Sequence, residues 1–495
     1  MRAMDTLFPW LAAPTDRPAL RVADRALSQR ELAAACAHHA AMLAAHGAVP
    51  GDRIGVWTQP ALETLVALVA HAAAGYVSVP LDPKLGDREL AHVLGDAAPR
   101  LCVAAEPGAL AASPPTLATL ATVIPRDAAP PFTAVAVRGA PALILYTSGT
   151  TGPPKGALIT DRNIASNLDM LARAWAWRDG EIIVHALPMF HVHGLVLGLF
   201  GSLRRGGMLR WVAKFSPEEL AAALAAHAPA VLFAVPTMYH RLCEAAAHAP
   251  AIAEALRGAR LLVSGSAPLS VREHRWLEQL SGQRVIERYG LTETLINCST
   301  RHDGDRRPGS VGPPLEGVEL RLVDDERREI AAAEAGAGEA AEEAMTGEIA
   351  VRGPHVFAGY LNRDDATRAV LDADGWFYTG DIATRDADGE LRIVGRRSTD
   401  IIKCGGFKVG AGEVEAALLE HPAIAAAAVI GVADPDLGER IVAFVVSRSP
   451  VDVAELSSHV ALRLSPHKRP RDVRFLDELP RNAMGKVQKT RLRSL

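Results

Sequence analysis

The sequence has no C-x-x-C pair, few aromatics, no long apolar run and no excess of positive charge, and each absence closes off a class of protein. Its five cysteines (Cys36, Cys102, Cys243, Cys298 and Cys404) are scattered, so neither a structural zinc site nor a disulfide framework is expected. An odd set of unpaired thiols fits a reducing, cytoplasmic setting. The formal net charge is −4, without the basic stripe that a nucleic-acid partner would need. No stretch of about 20 apolar residues occurs, so no membrane span is expected. The opening residues, MRAMDTLFPWLAAPTDRP, carry no basic segment followed by an apolar one, and Pro9 and Pro14 interrupt them, so no signal peptide is read. Aromatics make up 5% of the chain, with alanine in their place, which is a compositional bias rather than a functional signal.

What is there is an ordinary soluble composition, 49% hydrophobic and 22% charged, spread over 495 residues. That length is too great for one compact core and predicts at least two domains. Through residue 390 or so, short apolar runs alternate with amphipathic segments. Ser28-Gln29-Arg30-Glu31, Ser216-Pro217-Glu218-Glu219 and Ser270-Val271-Arg272-Glu273 have the form of capping boxes, each opening a helix. Arg53–Trp57, 76–80, Leu143–Tyr146, Val231–Val235, Leu261–Ser264 and Val285–Arg288 are strand-like. The alternation predicts an α/β fold: a large N-terminal domain, residues 1–396, of layered subdomains with largely parallel sheets. Residues 331–346 are acidic and low in complexity, and read as a solvated surface insertion. After Gly395 the pattern changes to a smaller α+β unit, residues 397–495, with helices at 412–420 and 453–464 and strands at 425–432, 440–446 and 472–476.

The strongest local feature is Tyr146-Thr147-Ser148-Gly149-Thr150-Thr151-Gly152-Pro153-Pro154-Lys155-Gly156, directly after an apolar strand. Glycines let a backbone approach a ligand and expose its N–H groups, and the hydroxyls and the lysine are donors suited to phosphate oxygens. It is not a Walker A loop, because Lys155 is followed by Gly156 and not by Ser or Thr.

This loop resembles the signature of the adenylate-forming superfamily of acyl-CoA synthetases, luciferases and peptide-synthetase adenylation domains. The resemblance continues in order along the chain: Tyr289-Gly290-Leu291-Thr292-Glu293, then Thr379-Gly380-Asp381, then Gly395-Arg396 with Asp400-Ile401-Ile402-Lys403, then Pro480-Arg481-Asn482-Ala483-Met484-Gly485-Lys486. It implies attack by a carboxylate on the α-phosphate of ATP, then transfer of the acyl group to coenzyme A, a task of positioning and charge neutralisation. It also implies roles. Thr147, Ser148, Gly149, Thr150, Thr151, Gly152 and Lys155 cradle phosphate. Glu293 holds Mg2+, Thr292 contacts phosphate, and Tyr289, with Glu287 and Gly290 beside it, packs on adenine. Asp381, supported by Arg396, accepts from the ribose hydroxyls. Ser264, Gly265 and Ser266 stand in a segment that in the family commonly reads S-G-G-A-P and approaches the nucleotide or acyl group. Lys486 bridges carboxylate and α-phosphate during adenylation. A mobile small domain then swings, and the segment Lys403-Cys404-Gly405-Gly406-Phe407-Lys408 faces the active site and helps to admit coenzyme A, with Cys404 as a passive small residue. The family's charged hinge residue is replaced by Ser398.

The acid is indicated by two arginines, Arg241 and Arg288, and by His191 and His193. A guanidinium fork matches a carboxylate, so two of them suit a second carboxylate on the substrate. The segments FHVHGLVLG, VPTMYHRL, LLVSGSA and ERYGLTETL resemble malonyl-CoA synthetases, which use malonate and often methylmalonate. The expected substrates are therefore malonate or methylmalonate, ATP and coenzyme A, with Mg2+ and no obligatory protein partner. An adenylation enzyme that loads a carrier protein would share the nucleotide motifs, but no carrier domain is visible in the sequence. A non-catalytic nucleotide-binding scaffold is disfavoured by Lys155, Glu293, Asp381 and Lys486 all being in place, since none is needed for folding.

Overall fold

The computed structural model describes residues 6–109, 117–125, 132, 134–136, 138–147, 153–330, 346–386, 389–397, 400–404, 407–481 and 487–493, the side chains of residues 109, 403 and 408 excepted. The acidic insertion lies outside the described residues but for its last residue, Thr346.

Two sheets form most of the large domain. One has the strand order Cys298–Ser299, Ile286–Tyr289, Leu261–Ser264, Val231–Ala234, Ile182–His185, Met208–Trp211, Pro18–Val22 and Arg25–Ser28. The other runs Thr119–Ala121, Leu101–Ala104, Arg53–Trp57, Val77–Leu81, Pro141–Thr147 and Lys155–Thr160. Within each sheet the pairs are parallel except at one edge or both: Arg25–Ser28 and Cys298–Ser299 in the first, Lys155–Thr160 in the second. The helix Leu62–Ala74 is buried along nearly its whole length, the condition of a helix enclosed on all sides rather than lying on a surface. Its core cluster includes residues from both sheets, among them Ile54, Leu143, Val231 and Ile286.

The helix starts follow the sequence chemistry. Ser28 with Glu31 and Ser270 with Glu273 form reciprocal capping boxes. Ser216 accepts from the Glu219 N–H, while the hydroxyl itself turns to Glu218, so the box is only half made. The expectation of largely parallel sheets holds for these two and not for the third. Glu319–Val323, Thr346–Arg352, Phe377–Arg385 and Leu391–Arg396 form a wholly antiparallel sheet. Only the last link, 386–390, is short enough to force an antiparallel pair, since parallel neighbours need a crossover of a dozen or more residues.

The small domain has Phe407–Gly410, Ile401–Cys404, Gly438–Ser447 and Ile424–Asp434 in sheet order, with Asp472–Phe475 on the Gly438–Ser447 strand. Helices Ala411–Leu419 and Val453–Ala461 contribute Val414, Leu418, Leu456 and Val460 to its own core. No helix among the described residues is long and apolar enough to cross a membrane.

Candidate active site

The parallel strands of the first sheet end together, and the candidate residues cluster at those carboxyl ends, where ligands of open α/β sheets usually bind. Ser264 ends one strand and Arg288 and Tyr289 end its neighbour, with Ser264 in register with Glu287. His193 opens a π-helix, His193–Phe200, just beyond the Ile182–His185 strand. π-turns are rare and concentrate at functional sites.

Arg288, His193 and Ser264 each bring buried polar atoms that have no hydrogen-bond partner among the described residues. Arg288 is 7% exposed, and its Nε and Nη2 have no hydrogen-bond partner among the described residues. Burial pushes its pKa down to about 10, which leaves it charged at neutral pH. Gly265 makes room for it, since a Cβ there would lie 2.4 Å from the Arg288 Cζ. His193 lies close enough to feel the Arg288 charge. Burial first, and then that charge, hold the imidazole neutral, well below its ordinary pKa. Both of its ring nitrogens are also without partners, and so is the Ser264 Oγ. The His193 ring lies 5.7 Å from that of Phe233, and Val192 and Met238 are half-buried against the surrounding core. His191 turns instead to Phe190, with ring centroids 4.4 Å apart.

Arg241 does not join this group. It is exposed on the helix Pro236–Ala246, on the face shared with Thr237 and Glu244, while Tyr239, Leu242 and Cys243 face the core. The expected pair of arginines is therefore one buried arginine and one hydrated one. Helix periodicity is the reason, because a residue two positions from Tyr239 must point elsewhere.

The nucleotide motifs meet at two junctions. Thr147 and Lys155 face each other across the antiparallel pair that brackets the phosphate loop; Ser148, Gly149, Thr150, Thr151 and Gly152 lie outside the described residues. The Lys155 Nζ sits 4.5 Å from the centroid of the Tyr360 ring, a cation–π distance. Tyr360 in turn donates its hydroxyl to the Glu293 Oε1 at 2.7 Å. Glu293 is buried, and no described lysine or arginine pairs with it. A buried carboxylate with one oxygen oriented and no resident cation suits a hard ion such as Mg2+, which often takes only one or two protein carboxylates. At the second junction Asp381 receives the Tyr289 hydroxyl at 2.7 Å on Oδ2 and the Arg396 Nε at 2.9 Å on Oδ1. The Tyr289 ring expected beside adenine is itself buried.

Gly290 allows the chain to fold back after Tyr289: a Cβ there would lie 1.7 Å from the Leu295 carbonyl oxygen. Thr292 is half-buried on this turn. Ser266 has φ of +72°, the conformation that glycine favours, which accounts for the family's usual glycine at that place. Gly405, Gly406 and Lys486 lie outside the described residues, as do Ser398 and the side chain of Lys403. One residue in these contacts had escaped notice in the sequence: Tyr360 sits in an irregular Ala-Gly-Tyr-Leu segment with no periodicity.

The comparisons with known proteins agree in kind. The AMP-binding enzyme family matches residues 8–361 and the AMP-binding enzyme C-terminal domain matches residues 413–486. The human mitochondrial malonate–CoA ligase is 37% identical over 466 residues, covering 86% of this chain and 80% of that protein. The ATP-bound crystal structure of MatB from Rhodopseudomonas palustris superposes with a TM-score of 0.88 at 35% identity, over 100% of this chain and 98% of that one. A malonyl-CoA ligase in a ternary product complex with methylmalonyl-CoA and AMP is 52% identical with a TM-score of 0.69, over 95% of this chain and 98% of that one.

Glu287 faces the helix Val271–Ser281. It accepts from the Gly309 N–H at 3.3 Å, with the His274 Nε2 3.9 Å away. Burial raises its pKa from 4.5 to about 7. The folded chain thus keeps a proton that the unfolded chain releases, so the stability this gives is present below pH 4.5 and lost as pH rises to about 7. Glu287→Gln should flatten this dependence. Calorimetry should show a Tm near wild type in acid and above wild type on the alkaline side of pH 7; no gain there would show that the carboxylate is not destabilised by burial.

Proposed function

The chain belongs to the AMP-binding enzyme family and is an acyl-CoA synthetase, and from that premise we propose that its acid is malonate, with methylmalonate as a second substrate. The observation that carries this reading is the Arg288 guanidinium, buried with unpaired N–H groups beside the equally unpaired His193 and Ser264 Oγ. A buried charge left without its partner costs on the order of 3–5 kcal/mol, so a substrate that brings a second carboxylate answers a deficit already in the fold. Val192 and Met238 offer an apolar wall for the extra methyl group of methylmalonate.

The substrates are the diacid, ATP and coenzyme A. In the first step a carboxylate oxygen attacks the α-phosphorus and the bond to pyrophosphate breaks. In the second the thiol of coenzyme A attacks the acyl carbon and AMP leaves. Asp381, oriented by Tyr289 and Arg396, holds the ribose hydroxyls. Lys155 and the phosphate loop would hold the phosphates, and Glu293, fixed by Tyr360, would be the protein ligand for Mg2+. The ion, when bound, supplies charge neutralisation at the phosphates. Lys486 acts in the first step only, and Lys403, Gly405 and Gly406 serve the second after the small domain turns about the hinge. The chain superposes better on the ATP-bound relative than on the more identical product-bound one, which supports assigning its arrangement to the first step. We place the enzyme in the cytoplasm, since all five cysteines are free and buried.

A panel of acids assayed with MgATP and coenzyme A tests the reading. Each charge-assisted hydrogen bond is worth roughly 1.5–3 kcal/mol, so malonate should exceed acetate and butyrate by at least about a hundredfold in kcat/KM. Glutarate should fail on length, and sulfoacetate measures whether any second anion suffices. Arg288→Ala should lose most malonate activity and narrow its lead over acetate, whereas Arg241→Ala should change that ratio little. Octanoate or a benzoate outperforming malonate in the wild type would overturn the assignment.

Two further variants test the nucleotide chemistry. Glu293→Gln should lower the rate strongly and raise the Mg2+ requirement; ordinary kinetics would remove Glu293 from the metal's ligands. Lys486→Ala should abolish malonyl-adenylate formation yet still convert supplied malonyl-adenylate and coenzyme A to product. Equal loss in both half-reactions, with the fold intact, would contradict the two-arrangement scheme.

A further inference from the structure

Residues 398 and 399 are bracketed by two anchored neighbours. On the large-domain side, Arg397 donates its backbone N–H to the Gly380 carbonyl at 2.8 Å and its guanidinium to Glu348 at 3.1 Å. On the small-domain side, Asp400 holds a lysine from the far C-terminus: the Lys489 Nζ lies 2.7 Å from the Asp400 Oδ1 and 2.8 Å from the Glu415 Oε1. All three side chains are largely buried, between 17% and 23% exposed. Glu415 is fixed in its turn by the Val429 N–H at 2.8 Å.

The Asp400 carboxylate also reaches back across the hinge. Its Oδ2 accepts from the Arg396 N–H at 3.1 Å, and the Arg396 side chain holds Asp381. One polar chain therefore runs from Tyr289 through Asp381, Arg396, Asp400 and Lys489 to Glu415. The C-terminal end of that chain is also tied down. Arg481 and Val487 pair as an antiparallel bridge, and the Gln488 N–H donates to the Pro480 carbonyl at 2.7 Å. The chain is thus closed on both sides of 482–486, and Lys489 follows that closure at once.

We propose that Lys489 is a positioning residue for adenylation: its ammonium fixes Asp400 against Arg396 and so locks the hinge, and with it the base of the C-terminal segment, in the arrangement seen here. Two facts favour this over an ion pair that merely stabilises the small domain. Asp400 uses its second oxygen on the large-domain side of the hinge, so releasing Lys489 also loosens a contact across it. Lys489 also separates two carboxylates, and its removal would leave Asp400 and Glu415 facing each other, which drives the hinge carboxylate away from Arg396. Turning the small domain for the second step requires the Asp400 to Arg396 contact to break, so Lys489 matters to one half-reaction and not to the other.

The proposal rests on the two-step reading above, and its test uses whichever acid the full-length wild type activates best, so it does not depend on malonate. Lys489→Met should slow acyl-adenylate formation, followed by pyrophosphate release, by roughly a hundredfold, the penalty typical of misplacing a reacting group by about an ångström. The KM for the acid should stay within a few-fold, and thioester formation from supplied acyl-adenylate should stay near wild type. Lys489→Arg should restore most of the first step. Equal loss in both half-reactions, or no loss in either, would overturn the assignment and leave the ion pair a structural one. Should Lys489→Met fail to fold, the isosteric Asp400→Asn carries the same test, with the same split expected and parallel loss again decisive against it. Failure of the wild type to release pyrophosphate with any acid would instead refute the ligase reading itself.

Discussion

A guanidinium that is buried and charged, with Nε and Nη2 left without a partner among the described residues, constrains everything around it. Arg288 is charged at neutral pH, because even the depressed value of about 10 lies far above it. Its observed placement uses the space left by Gly265: a Cβ there would lie 2.4 Å from the Arg288 Cζ, and the guanidinium would have to move. It needs a neutral neighbour at His193, because a second cation would make the burial untenable. It needs the strand Ile286–Tyr289 to project it toward the ends of the parallel strands. The hydrophobic cores on either side of the sheet hold this geometry, so the tension is held by the packing of the fold and is available to whatever acid completes the site.

The nucleotide side is built on the opposite principle. Asp381 is satisfied by Tyr289 and Arg396, and one Glu293 oxygen by Tyr360. Each carboxylate keeps acceptor capacity, because an ionised carboxyl offers about four lone-pair sites. Groups held in this way are oriented before the ligand arrives, which is what a reaction dominated by positioning requires. Tyr360 links the two ends of the site, with its ring under Lys155 and its hydroxyl on Glu293.

Much of this could be read from residue order alone. Ser270-Val271-Arg272-Glu273 is a local signal with a local mechanism, and the helix begins where it says. Leu261–Ser264 is a short, wholly apolar run up to its final serine, and it forms a buried parallel strand with those bounds. The antiparallel sheet at 319–396 was harder to see, because strand direction follows from which partner is reached and not from composition. Arg241 and Arg288 are the same residue type in similar contexts. What separates them is the side of a helix in one case and of a strand in the other, and a single residue of phase decides it. Tyr360 and Lys489 were illegible for a different reason: each acts on a residue more than sixty positions away, and no local pattern encodes that distance.

Satisfied and unsatisfied polar groups thus divide the site by function. Where the partner is part of the protein and lies across the proposed hinge, as at Asp400, the contact can be kept or broken by moving a domain, so it suits a step that must be switched. Where no partner is present among the described residues, as at Arg288, that place falls, under the proposed function, to the second carboxylate of the substrate. An acetate would enter the same pocket and meet the same nucleotide, but it would leave the guanidinium as it found it. Under the proposed function, selectivity for a diacid would follow from the cost of that unanswered charge more than from any shape the pocket excludes, since a hydrophobic wall alone separates homologous acids only weakly.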